Sequence, residues 1–397
     1  MEHLIHFTSQ GLQLAGVLQI PDNLSPGQKC AAIVVLHGFG SNKNGGISMA
    51  ASKLFASLGY VTLRFDMRGC GDSQGQRGKV ICMEQVQDTQ AAIDFLQTRA
   101  EVDASRIGVM GHSFGAAVAI YTAGIDQRVA ACVSTGGWGD GEKKFRKQHA
   151  SDEAWKKFTD MMTEGRRRLA LGESMMVPRY DIVPIQPGLR NQLAPGSITD
   201  FPYEVVESMF NFRANEVVGQ IAPRPLLLLH PSNDTVTPTE QSLDLFAHAG
   251  QPTDLHLFAE TDHFILGEGN ALVIDKWFTL QALSLNPNVI AEVRKLADHP
   301  DFTLKNPNRV RSLHMAFAGN PQGFHAASGE GYRMIADVIL ALDPINPQTA
   351  AKLLPPLGRW RRFDDGRQKL MRAELERILR HPGLSKDVFE QASKSLA

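Results

Sequence analysis

Gly111-His112-Ser113-Phe114-Gly115 decides how this chain is read. The apolar, strand-prone run Arg106-Ile107-Gly108-Val109-Met110 precedes it, and the helix-prone run Ala116-Ala117-Val118-Ala119-Ile120-Tyr121 follows. G-x-S-x-G between a strand and a helix has the form of a nucleophile elbow, a turn sharp enough to lift the serine hydroxyl clear of the sheet edge. The flanking positions of such a turn tolerate little more than a hydrogen, which accounts for Gly111 and Gly115. The amino end of the next helix then faces any negative charge that develops beside Ser113. A serine in a glycine-rich turn is not by itself a catalyst, because a hydroxyl is a poor nucleophile until a base takes its proton.

A base and an acid follow downstream. Pro223-Arg224-Pro225-Leu226-Leu227-Leu228-Leu229-His230 is a continuous apolar strand, and the loop after it, Pro231-Ser232-Asn233-Asp234-Thr235-Val236-Thr237-Pro238, carries Asp234. Asp254-Leu255-His256-Leu257-Phe258 alternates as a strand, and Ala259-Glu260-Thr261-Asp262-His263-Phe264 places His263 in the loop behind it. Asp262 is the rival acid. Adjacent residues rarely face each other across a loop, so Asp234 is preferred, although an Asp in such a loop also serves as a turn cap. His256, inside a strand, reads as structural. Upstream, the strand Ala31-Ala32-Ile33-Val34-Val35-Leu36 ends in His37-Gly38-Phe39-Gly40. Glycines there let backbone N–H groups approach an oxyanion, and the donors are assigned to Phe39 and to Phe114, the residue after the nucleophile.

With Phe65-Asp66-Met67-Arg68-Gly69-Cys70-Gly71-Asp72-Ser73 these pieces make residues 1–283 resemble an α/β-hydrolase of the serine esterase and prolyl-oligopeptidase-like superfamily. The resemblance implies a mostly parallel sheet, a catalytic set of Ser113, Asp234 and His263 in that chain order, and oxyanion donors at Phe39 and Phe114. Asp66 and Arg68 read as loop-ordering ion-pair residues. An α/β alternation supports the sheet independently: strands at Ala31–Leu36, Val61–Phe65, Arg106–Met110 and Val129–Ser134 are interleaved with helices near Met49–Leu58 and Gln85–Thr98. Two antiparallel strands around Ser9-Gln10-Gly11 open the chain.

The rhythm breaks at about 137–218, where α/β-hydrolases commonly carry a cap. Gly141–Glu173 is charged and helix-prone, with Trp155, Phe158, Met161 and Met162 at near-helical spacing. That stripe reads first as packing against the sheet and second as a substrate wall. Arg166-Arg167-Arg168 reads as a solvated helix face.

From residue 284 onward the pattern is helical throughout, at Val289–Asp298, Arg309–Gly319, Tyr332–Leu342, Gln348–Leu354, Asp365–Arg380 and Lys386–Leu396, with prolines and glycines at the turns. Asp275-Lys276-Trp277-Phe278-Thr279-Leu280-Gln281-Ala282, Asn306-Pro307-Asn308-Arg309-Val310-Arg311-Ser312-Leu313, Phe324-His325-Ala326-Ala327, Leu342-Asp343-Pro344-Ile345-Asn346-Pro347-Gln348 and Ser393-Lys394-Ser395-Leu396-Ala397 resemble the end of aminopeptidase N, a family of zinc peptidases with a C-terminal helical domain. The match spans about 272–397, so the helix Ala271–Leu283 is shared by both resemblances and is expected to close the hydrolase sheet. The pairing has the character of a gene fusion.

The 397 residues suit two or three domains, and 43% hydrophobic content suits a substantial core. With 41 basic and 42 acidic residues, the net charge of −1 leaves no footprint for nucleic acid or an anionic membrane. Four cysteines without C-x-x-C spacing read as reduced thiols. No apolar run approaches the roughly 20 residues of a membrane helix, and the start of the chain has no signal-peptide pattern, so the expected location is cytoplasmic. None of the 13 histidines is followed by Glu, which removes His-Glu-x-x-H zinc chemistry. The expected function is a serine hydrolase of a small ester, without metal or cofactor. A serine peptidase acting on a short peptide is the alternative, and a helical interaction module carrying a non-essential hydrolase is the third. Helices shaped against an absent peptidase domain are expected to pack on the hydrolase or on a second copy of the chain.

Overall fold

Eight strands form one sheet: β1 (Glu2–Ser9), β2 (Leu12–Gln19), β3 (Cys30–Leu36), β4 (Val61–Phe65), β5 (Val102–His112), β6 (Val129–Thr135), then, beyond a two-stranded hairpin of β7 (Met176–Pro178) and β8 (Asp200–Pro202), β9 (Leu226–Pro231) and β10 (Thr253–Phe258). The computed structural model describes residues 2–22, 24–25, 27–259, 261–264, 271–284 and 286–397. Met1 of the first expected strand, Glu260 and the stretch 265–270 that leads into the expected shared helix lie outside the described residues.

The order is β1-β2-β4-β3-β5-β6-β9-β10, antiparallel across β1, β2 and β4 and parallel from β4 to β10. Strands covered on both faces read as unbroken apolar runs. In β4 all five residues are buried, and in β3 all but Cys30. At the edge, β1 shows the alternation of a strand with one face in water, with Phe7 and Ser9 inward and Leu4 outward. Gln10 and Gly11, both at positive φ, close the β1–β2 hairpin. The helix Phe114–Ile125 is small, apolar and buried almost all round, and it packs on β5, β6 and the helix Cys82–Gln97.

The insertion between β6 and β9 is mostly helical but also carries the β7–β8 hairpin, and its first stretch makes two helices, Gly141–Gln148 and Asp152–Ala170. The break has a local cause. The Ser151 hydroxyl accepts from the Ala154 N–H, and Asp152 and Glu153 occupy the following first turn, which together start a new helix. Phe158 and Met162 are buried, with Trp155 and Met161 packed beside them, in the same core as the sheet. The stripe is therefore packing. Arg166 and Arg167 are exposed and Arg168 is half-buried, and the three pair with Glu207 and Glu164.

The chain divides into two compact units, 1–268 and 269–397. The division expected after 283 is displaced because the helix Ala271–Ala282 belongs to the second unit. Phe278 and Ala282 are buried in that unit's core, Phe278 lies edge-on to Phe302 with ring centroids 5.8 Å apart, and Asp275 pairs with Arg309. The second unit is all helical among the described residues, with Val289–Ala297, Glu330–Leu342, Pro347–Lys352, Asp365–Leu379 and Lys386–Leu396 near their expected positions. A further short helix, Pro355–Gly358, lies between Pro347–Lys352 and Asp365–Leu379.

Candidate active site

Ser113 sits between the end of β5 and the first turn of the helix Phe114–Ile125, at φ +55° and ψ −116°. A non-glycine residue is rarely held there. The crowding that enforces the turn is measurable. A Cβ added at Gly111 would lie 2.0 Å from the Gly115 carbonyl oxygen, and one at Gly115 would lie 2.5 Å from the His37 carbonyl oxygen. The Ser113 N–H is held by the Thr135 carbonyl at 2.8 Å, so the elbow is also tied to β6.

His263 and Asp234 meet Ser113 in one hydrogen-bonded line. His263 Nδ1 lies 3.0 and 2.8 Å from the two Asp234 carboxylate oxygens, and Nε2 lies 2.9 Å from Ser113 Oγ. A nitrogen facing a carboxylate carries the proton, so Nδ1–H donates to Asp234 and the bare Nε2 accepts from the serine hydroxyl. Asp234 also accepts from the Val236 and Thr237 N–H groups at 2.8 and 2.7 Å. The turn-capping role and the imidazole-facing role, posed as alternatives by the sequence, are thus filled by one carboxylate. Burial alone would raise the Asp234 pKa, but the charge of His263 and hydrogen bonds from His230 and His263 outweigh it and hold the carboxyl well below its usual range. Asp262, the rival acid, points elsewhere. It accepts from the Thr235 N–H and hydroxyl and from the His263 N–H, bracing the two loops against each other. His256 stays on β10, away from Ser113.

His230 was not singled out from the sequence. Its Nε2 faces the Thr237 carbonyl at 3.0 Å and Asp234 at 3.3 Å, while Nδ1 meets the Ser242 hydroxyl at 2.6 Å. Two acceptors at Nε2 place the proton there, so Asp234 receives a second imidazole N–H. His112, the second residue of the elbow motif, stacks obliquely near His263 with ring centroids 4.9 Å apart. Burial, and then the nearby charge of His263, push its pKa down to about 3, so it is neutral.

The loop after β3 runs beside Ser113: a Cβ on Gly38 would be 3.7 Å from the Ser113 Cβ. His37 fixes this loop, with Nε2 accepting from the Met67 N–H at 3.1 Å and Nδ1–H donating to the Gly38 carbonyl at 2.9 Å. The Phe39 ring stacks on Phe201 of β8 at 4.1 Å between centroids and leans on Phe114 at 5.8 Å. Phe114 opens its helix, where the first N–H groups lack intrahelical acceptors. Phe39 and Phe114, the expected donors, therefore flank Ser113 from two elements. Asp66 and Arg68 do order loops, though with separate partners. Asp66 takes the Lys43 ammonium at 2.6 Å, and Arg68 takes Asp88 through Nε and Nη2.

A cavity of about 70 Å³ opens onto Ser113 and His263. Its other walls include Phe39, Ser41, Ile47, Ser48 and Val236 around the sheet and Arg179, Val183, Ile185, Gln192, Leu193 and Ala194 from the cap. The cap thus supplies its wall from the proline-rich part, not from the Met and aromatic stripe. No Asp or Glu lines this cavity among the described residues. Among those residues no cluster of three His, Cys, Asp or Glu side chains could hold a metal ion, and no helix is long and apolar enough to cross a membrane.

Comparison with known proteins gives two matches that overlap across residues 230–270. Residues 230–397 match a domain of unknown function with ARM repeats, DUF3458_C. Aminopeptidase N of Caulobacter vibrioides is 46% identical over 160 residues, which are 40% of this chain and 17% of that protein. The chain spans only 15–17% of the aminopeptidases N it matches, and the helical unit is homologous to their C-terminal part. Thiohydrolase aneE of Aspergillus aculeatus is 27% identical over 283 residues, 66% of this chain and 86% of that one. The crystal structure of the α/β-hydrolase GrgF from Penicillium sp. sh18 superposes with a TM-score of 0.54 at 22% identity, over 66% of this chain and 91% of that one, which establishes the fold. Residues 27–270 match the model of the serine aminopeptidase S33 hydrolases. That match covers more than half of the chain, and the chain belongs to this family of α/β-hydrolases.

Proposed function

We propose that residues 1–268 are a serine hydrolase that cleaves a carboxylic ester through an acyl-enzyme. The observation that carries this reading is the hydrogen-bonded line from Ser113 Oγ to His263 Nε2 at 2.9 Å and from His263 Nδ1 to Asp234 at 2.8 Å. Ser113 Oγ attacks the acyl carbon while its proton passes to His263 Nε2. Asp234 keeps the imidazole oriented and stabilises its charged form. The Phe39 and Phe114 N–H groups receive the negative oxygen. Collapse of the tetrahedral intermediate expels the alcohol, which takes the proton from His263. Water then repeats the sequence on the acyl-serine.

The family description names aminopeptidases, and an aminopeptidase must anchor a substrate ammonium. The wall around Ser113 offers it no carboxylate among the described residues, which favours an ester or another neutral acyl bond over an N-terminal peptide bond. The likeness to a protein named thiohydrolase keeps thioesters in the same class. The helical unit supplies no peptidase chemistry in this reading.

A fluorophosphonate probe should label the wild-type chain, and a screen of short and long acyl esters beside aminoacyl p-nitroanilides should show ester turnover dominant. A folded protein that resists the probe and hydrolyses no ester would favour the helical module as the functional part. Dominant anilide turnover would favour the peptidase.

A further inference from the structure

Arg179 is a cation buried in the wall of the Ser113 cavity without a counter-charge among the described residues. It follows β7 as the first residue of the short helix Arg179–Ile182 and is only 3% exposed. Charge this deep is normally paired. Arg64, Arg68 and Arg309, the other buried arginines described, hold Glu2, Asp88 and Asp275. Arg179 holds no carboxylate among the described residues. Its Nε donates to the Ile198 carbonyl and its Nη2 to the Phe39 carbonyl, both at 2.7 Å. The rings of Phe39 and Phe201 flank it, with centroids 5.3 and 5.5 Å from its central carbon. Burial lowers its pKa only to about 10, so it stays charged at neutral pH. A guanidinium has five N–H donors, and two are engaged here. The same side chain lines the cavity that holds Ser113 and His263.

We propose that Arg179 binds a carboxylate on the substrate, making it the residue that selects an acyl ester bearing a negative charge near the scissile bond. This rests on the serine hydrolase reading. A planar guanidinium with free donors takes a carboxylate in a two-point contact. Of the remaining cap wall, Val183, Ile185, Leu193 and Ala194 are apolar and Gln192 is polar but uncharged, so the acceptable substrate is a small, largely hydrocarbon group with one acidic end. The two rings shield the guanidinium, and the two carbonyl contacts fix its position before substrate arrives.

The test compares p-nitrophenyl hydrogen glutarate with p-nitrophenyl methyl glutarate, which share the scissile ester and differ at the distal end, a carboxylate in one and its neutral methyl ester in the other. Wild-type kcat/KM should favour the acid by about tenfold or more, as expected when a built polar site meets its partner. Arg179→Gln should bring that ratio towards one, and Arg179→Lys should keep part of it. Wild-type indifference to the charge, or an equal loss on both esters in Arg179→Gln, would overturn the proposal and leave Arg179 as a brace for the Phe39 carbonyl. Should Arg179→Gln fail to fold, inhibition of the wild type decides: glutarate must inhibit better than glutaramide, and parity overturns. Ser113→Ala is assayed on both esters in parallel. Activity surviving there overturns the hydrolase reading itself, whereas a flat charge ratio in an enzyme that needs Ser113 overturns only the role of Arg179.

Discussion

Asp234 concentrates the chemistry of this site in one carboxylate. It caps its own loop through Val236 and Thr237 and receives N–H groups from two imidazoles. Asp234→Asn should lower ester turnover by on the order of 10⁴ through loss of the correct His263 tautomer. Asp262→Asn should cost far less, because its contacts are to Thr235 and a backbone N–H. The ratio of the two variants' kcat/KM is the measurement, and the reverse ranking would transfer the role to Asp262. Ser113→Ala should leave a folded protein with activity reduced by several orders of magnitude, and retention of a tenth of wild-type turnover would sink the nucleophile assignment. Lys144 gives a prediction in stability. Its ammonium is buried against the rings of Trp138 and Phe145 without a hydrogen bond among the described residues, and burial lowers its pKa to about 7. An unfolded lysine titrates near 10.4. Between those values the unfolded chain holds a proton that the folded chain lacks, so stability rises as pH climbs from about 7 to about 10. Lys144→Met should therefore stabilise the protein by on the order of 1–3 kcal/mol at pH 7, with the gain shrinking towards pH 10 in urea titrations. Ser113, Asp234 and His263 could be singled out in the sequence because each follows a strand in a recognisable loop. His230 could not, because its contacts with Asp234, Thr237 and Ser242 depend on how the loop folds back on its strand; nor could His112 and Arg179, whose significance comes from distant neighbours and from burial.

At the scale of elements, the site depends on how closely the elbow and the loop after β3 approach each other. Gly115→Ala would drive a methyl group against the His37 carbonyl, which belongs to the loop carrying Phe39. Overpacking of this kind costs about 1–3 kcal/mol, and here it should also depress kcat by displacing the Phe39 N–H. A matched loss of stability with unchanged kcat would show that the loop does not need this spacing. Lys43 anchors the far end of the same loop: its N–H and its ammonium both reach Asp66, at 2.6 Å each. Lys43→Ala strands a buried carboxylate and should destabilise by about 3–5 kcal/mol, measurable in chemical unfolding. The strands and the helix after the elbow were legible because parallel strands buried on both faces leave unbroken apolar runs, as β3 and β4 do. The wall of the cap was not. Residues 176–202 form a hairpin, two short helical segments (Arg179–Ile182 and Pro187–Gln192) and loops, whose positions follow from tertiary contacts such as Phe201 on Phe39 and carry no periodic signature.

Across the described residues, the two largest hydrophobic cores share no buried residue: one runs from Phe7 to Leu245 and the other from Phe278 to Ala392. Separate cores predict separate cooperative units, so calorimetry should resolve two unfolding transitions. A chain ending at residue 268 should keep the ester hydrolysis and lose one of them. A chelator should leave turnover unchanged, and chelator-sensitive hydrolysis of an aminoacyl amide would reopen the zinc reading. The family character of each unit was legible in motifs and local residue runs, but the position of the seam was not. Ala271–Ala282 is amphipathic enough to serve either unit, and only the contacts of Phe278 and Asp275 assign it. The independence of the cores has a consequence for inheritance. A damaging substitution among the tail helices would leave catalytic turnover per molecule intact while exposing that unit to proteases, so its phenotype would be one of abundance and half-life.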